Sequence, residues 1–127
     1  VKVLTIVEEN HTYDQMKSGM PYLWSQAQKY AYATNYQAIT HPSLPNYLAM
    51  AAGSTFGVRD DKYPSSHPVK ASTVFDQALA AGKSAKLYNE SMPSNCALTT
   101  AMPYAVKHNP WAYFTPGRIG CGKYDVS

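Results

Sequence analysis

The chain has 127 residues, with 45% apolar content, only 15% charged content and a net charge of +3. That length supports one domain with a real core, and that balance excludes a disordered polar chain. No block of Lys and Arg argues for nucleic-acid binding, and no apolar run approaches the ~18 residues of a membrane span. The eleven tyrosines suit half-buried surfaces and wet clefts, since Tyr joins an apolar ring to a polar tip.

Taken in chain order, "VKVLTIV" is a β-branched apolar run without helical period. It predicts a strand buried on both faces, as in a parallel sheet. It opens the sequence directly, without a signal-peptide pattern, as in a mature or trimmed chain. The polar cluster "ENHTYDQ" follows. "MPYLWSQAQKYA" predicts a helix with Pro21 in its first turn and Leu23, Trp24, Ala27 and Ala31 inward. "YATNYQAI" is a weaker strand candidate. "LPNYLAMAAG" predicts a short helix, with Pro45 in the first turn and Gly53 as its stop. Residues 54–70 are rich in Ser, Pro, Asp and His and predict a surface loop.

"ASTVFDQALAAG" is the clearest helix. Ser72 or Thr73 caps it, Val74, Phe75, Ala78 and Leu79 form an apolar stripe, and Gly82 ends it. "SAKLYNES" follows as a strand. This rhythm predicts an α/β fold with a mainly parallel sheet. Residues 92–127 read as loop. A tail this long with little regular structure, beside so few strands, predicts that residues 1–127 form one α/β unit of something larger. Cys96 and Cys121 lie outside any CxxC or zinc-like spacing. Both sit in Pro/Gly-rich sequence, so a disulfide is favoured over two unrelated thiols, and with it export to an oxidising compartment.

Ligands of open α/β sheets bind beyond the carboxyl ends of the strands. There the first predicted strand delivers Glu8, Glu9, Asn10 and His11. The second leads through Thr40 and His41 to Ser43 and Asn46. The third delivers Asn89 and Glu90. Taken singly, each has an ordinary reading. Glu9 and Asn10 read as a solvated strand end, Ser43 as a helix cap, Glu90 as a surface carboxylate and His108 as a loop histidine. Together they aim hard oxygen donors, suited to Mg, Ca or Mn, at one sheet edge beside a serine at a helix mouth.

"ENHTYDQ", "HPSLPNYLAMAAGST", "YNESMPSNC" and "YAVKHNPWAYF" occur in the order found in a bacterial phosphoesterase family. The chain resembles that family, which includes secreted acid phosphatases, phosphatidylinositol phosphatases and relatives of phospholipase C, along nearly its whole length. The resemblance implies an alkaline phosphatase-like sandwich and metal-assisted hydrolysis of phosphate monoesters. The alternatives are a phospholipase C-type diesterase or an inert fragment. It implies Glu9, Asn10 and Ser43 as ligands of a divalent cation, and Ser43 as the nucleophile. Asn46 and His108 would face the phosphate oxygens, with His108 protonating the leaving oxygen. His41 and Glu90 would line the site. Substrates would be phosphate esters, phospholipids among them, met in a secreted or periplasmic setting. The family's later Asn-Asp-Met-His-like segment with acidic ligands has no counterpart here. The resemblance therefore implies that a further segment or a second chain completes the metal site.

Overall fold

The computed structural model describes residues 2–127. The chain folds as two compact units, residues 1–37 and 38–127.

The first unit holds two helices, α1 (Tyr13–Gly19) and α2 (Pro21–Lys29). Thr12 caps α1 through a box with Gln15: the Thr12 hydroxyl accepts from the Gln15 N–H, and the Gln15 side chain accepts from the Thr12 N–H. The T-x-x-Q spacing within the polar cluster is the sequence sign of this cap. Pro21 opens α2 as expected, since its missing N–H is one that a first turn leaves unpaired anyway. Trp24 packs edge-on against Tyr13 and Tyr32, at 6.0 and 5.0 Å between ring centres. Residues 2–9 form no strand, and Val3, Leu4 and Ile6 are exposed. A strand needs a neighbour for its backbone N–H and C=O groups, and among the described residues none pairs with this run. The same holds for "YATNYQAI".

The second unit holds α3 (Ser43–Ala52), α4 (Val74–Ala80), β1 (Leu87–Tyr88), α5 (Arg118–Tyr124) and β2 (Asp125–Val126), with 3-10 turns at Val106–His108 and Pro110–Tyr113. β1 and β2 pair in parallel, Leu87 against Asp125 and Tyr88 against Val126. The chain is thus mixed helix with a small parallel sheet, as the α/β reading expects. α5 and β2 lie in the tail that composition assigned to loop. The reason is visible in the fold: α5 is pinned by a disulfide and by the approach of α4, contacts that no local pattern encodes.

Leu44, Leu48 and Ala51 place one face of α3 in the core, against Val58, Val69, Val106, Ala112, Tyr113 and Phe114. A fully buried Leu contributes about 1.5–3 kcal/mol, so α3 is a principal anchor of the unit. Gly53 ends it at φ 73°, where a side chain would be strained. α4 is capped as predicted. Thr73 and Asp76 exchange bonds, and Asp76 Oδ1 also accepts from Trp111 Nε1 at 3.1 Å. Trp111 is fully buried beside Phe75, Leu79 and the Cys96–Cys121 disulfide. Val74, placed on the inward stripe by its spacing, is exposed, because α4 packs through Phe75 and Leu79 instead.

Candidate active site at the mouth of α3

Ser43 is the first residue of α3, and Pro42, in extended conformation, is its N-cap. Pro45 and Leu44 are buried beneath it, so the serine sits half-buried on an anchored turn. Asn46 organises the approach. Its Nδ2 donates to the Thr40 and Pro42 carbonyls at 2.7 and 3.1 Å, and its Oδ1 accepts from the Ile39 and Thr40 N–H groups at 3.0 and 3.2 Å. The Asn46 amide, read from sequence as facing phosphate, is here bonded to the backbone that leads into Ser43. His41 is exposed on that same loop.

One turn after Ser43, the Tyr47 ring lies against the His108 imidazole, with centres 5.2 Å apart. His108 ends the first 3-10 turn, which packs on α3. His108 thus packs beside α3 at Tyr47, while Ser43 and Asn46 lie in the first turn of that helix and His41 in the loop that leads into it. Glu90 is exposed in the turn after β1. Among the described residues, no hydrogen bond or ion pair joins it to the α3 mouth. Glu9 and Asn10 are exposed and belong to the first unit.

Two residues at this mouth were not singled out from sequence. Asp61 Oδ1 accepts from the Leu44 N–H at 3.0 Å, and Asp61 Oδ2 pairs with Lys107 Nζ at 2.9 Å. The loop of residues 54–70 is thus not merely surface: it returns a carboxylate to the helix start. Lys107 stood in the "KHNP" motif and Asp61 in "RDDK", but nothing local shows that they meet. Nearby, Asp60 is held below the usual carboxylate range by its hydrogen bond to His67 and then by the Lys62 N–H.

Behind the site, Asn109 follows His108 and is fully buried. Its Nδ2 donates to Asp125 Oδ2 at 2.6 Å and to the Tyr104 hydroxyl at 3.0 Å, while Asn89 Nδ2 donates to Asp125 Oδ1 at 2.7 Å. Burial pushes the Asp125 carboxyl up to about 6 despite these two bonds, and pushes the Tyr104 hydroxyl up to about 12. Cys96, Cys121 and Asp125 cluster in the manner of a metal site. The two sulfurs are bonded to each other, however, and a disulfide has no thiolate to offer a cation. Glu9, Asn10 and Ser43 each carry an oxygen of the kind that suits Mg, Ca or Mn; Glu9 and Asn10 belong to the first unit and Ser43 to the second.

The family model described as "Phosphoesterase family" matches residues 16–123. The chain belongs to the phosphoesterase family. It is 33% identical over 116 residues to a phosphatidylinositol-3-phosphatase of Mycobacterium tuberculosis, covering 89% of this chain and 38% of that protein. It is 36% identical over 115 residues to a probable acid phosphatase of Kluyveromyces lactis, covering 84% and 27%. It is 39% identical over 87 residues to a phosphate-repressible acid phosphatase of Penicillium chrysogenum, covering 64% and 21%. The chain therefore spans well under half the length of these relatives. No solved structure matches it significantly.

Proposed function

We propose that this chain carries the nucleophile of a phosphomonoesterase, with Ser43 as the attacking group. The observation that carries the reading is the family match, which runs across both Ser43 and His108; the His108 ring lies against Tyr47, one turn after Ser43 on the same helix. Ser43 Oγ would attack phosphorus as its hydroxyl proton passes to solvent, the bond from phosphorus to the ester oxygen would break, and His108 would give that oxygen its proton. Water would then attack the phosphoserine, losing one proton back to His108, so that phosphate leaves and the Ser43 oxygen regains a proton from solvent. Positioning and charge neutralisation dominate such a step. A divalent cation held by Glu9, Asn10 and Ser43 would supply part of that neutralisation. Hard-cation sites usually take six or more oxygens, so further donors would be required, from another segment or a second chain. His41 and Glu90 remain proposed lining groups, and Asn46 would act on the site through the loop it holds. In this reading the small parallel sheet is part of an alkaline phosphatase-like sandwich, and residues 1–127 form one part of that catalytic domain.

The relatives' names point to phosphate monoesters, soluble or on an inositol lipid, as the substrate class. The Cys96–Cys121 disulfide supports an exported, oxidising setting. The test is turnover of p-nitrophenyl phosphate by the full-length protein and its Ser43→Ala variant. The variant is expected to lose at least ~1,000-fold in kcat, and rapid acid quench of the parent should trap phosphoserine at position 43. Unchanged turnover would overturn the assignment. A phospholipid diester assayed in parallel separates monoesterase from phospholipase C-type chemistry.

A further inference from the structure

We propose that Asp61 and Lys107 are a positioning pair that holds Ser43 and His108 in register; this rests on the reading of Ser43 given above. One carboxylate grips both sides of the site. Its Oδ1 takes the N–H of Leu44, the residue after Ser43, at 3.0 Å. Its Oδ2 takes the ammonium of Lys107, the residue before His108, at 2.9 Å. The contacts are 17 and 46 residues apart in sequence, so the pair joins segments that local structure does not.

The carboxylate is itself anchored. The carbonyl of Lys62, its neighbour, accepts from the hydroxyl of buried Tyr113 at 3.0 Å. The far end of the loop is tied by Val69, whose N–H donates to the Tyr113 carbonyl and whose carbonyl accepts from the Thr115 N–H, both at 2.9 Å. Asp61 therefore approaches α3 from a fixed base. Both partners are mostly shielded, with side-chain exposures of 33% for Lys107 and 28% for Asp61, where an ion pair is less screened than at the surface.

The charges explain why two residues are needed. A carboxylate at a helix start complements the helix dipole and satisfies one N–H that has no partner within the helix. Alone, it would also repel an anionic phosphate. Lys107 neutralises it, so the cap is kept and the repulsion removed. On this account Lys107 works through Asp61 and does not bind the substrate. Small displacements of a nucleophile from its line of attack cost large factors in rate, so the effect belongs in kcat.

The test uses the full-length protein with p-nitrophenyl phosphate. Lys107→Met is expected to lower kcat about tenfold or more, with KM changed less than about threefold. Lys107→Arg, which can remake the pair, should recover most of that loss. Asp61→Asn keeps an acceptor for the Leu44 N–H but removes the charge, and should match Lys107→Met. The double variant should be no worse than the poorer single one, as for residues acting as a unit. Melting temperatures within about 2 °C of the parent would separate positioning from loss of fold. If Lys107→Met fails to fold, Asp61→Asn and Lys107→Arg carry the test. Independent, additive losses would overturn the pair, as would a raised KM at unchanged kcat, which would make Lys107 a substrate contact. Turnover that survives Ser43→Ala overturns the nucleophile and this role with it. Ser43-dependent turnover with additive losses overturns the pair alone.

Discussion

Acid should stabilise this fold through Asp125. Its side chain is fully buried, and its carboxyl is pushed up to about 6 from an ordinary 3.8, chiefly by loss of water. Between those two values the folded chain holds a proton on Asp125 that the unfolded chain has released. Stability from this group is therefore fully present below pH 3.8 and falls as pH rises through about 6. Roughly two pH units at ~1.4 kcal/mol each give a ceiling near 3 kcal/mol, and about 2 kcal/mol is a fair expectation for one group among several titrating carboxyls. Asp60, lowered by His67, works in the opposite direction. The neutral form is also easily housed. Asn109 Oδ1 is buried without a hydrogen-bond partner, and a turn of that amide would present it as an acceptor to a protonated Asp125. Urea unfolding at steps from pH 3.5 to 8, with the disulfide intact, would read this out. The parent should lose stability from pH 4 toward pH 7 relative to Asp125→Asn, whose side chain does not titrate. Parallel curves for the two proteins would refute the reasoning.

Two further outcomes follow from packing. Gly117→Ala should destabilise by about 2–4 kcal/mol, because the new methyl carbon would fall 2.5 Å from Asp76 Oδ1 and 2.8 Å from Trp111 Nε1; equilibrium unfolding beside Gly122→Ala, where nothing lies within 4 Å and helix propensity favours the alanine by up to ~1 kcal/mol, checks it. Cys96→Ser with Cys121→Ser removes a link across a separation of 25 residues and should cost about 2–4 kcal/mol, seen as a lower melting temperature, whereas an unchanged one would mean that the α5 packing alone holds the tail.

Part of the fold around Ser43 was legible, and the particular residues say why. α3 announced itself through Pro45 in its first turn and α4 through its capping threonine, both with apolar spacing and a terminal glycine, all of which act within a few residues. Ser43 at a helix start and the disulfide followed from equally local signs. Asp61 did not, because an acidic residue in a polar loop looks the same whether it meets solvent or caps a helix 17 residues away. Asn46 was read toward a ligand, while its amide is engaged by four backbone groups of residues 39–42. A side chain's choice between ligand and backbone depends on how the chain turns, and residue type does not encode that.

The leading run shows the limit from the other side. "VKVLTIV" has strand chemistry, but strand structure belongs to a pair of chains' hydrogen bonds and not to one segment, and no partner stands beside it among the described residues. Sequence by itself determined the family, the helices that close their own hydrogen bonds, and the serine at the mouth of α3. Tertiary structure alone decided that Asp61 meets Lys107, that Asn109 clasps Asp125, and that the tail folds into α5 and β2. Each of these joins groups far apart in the chain, and their energies exist only once burial has removed the competing water.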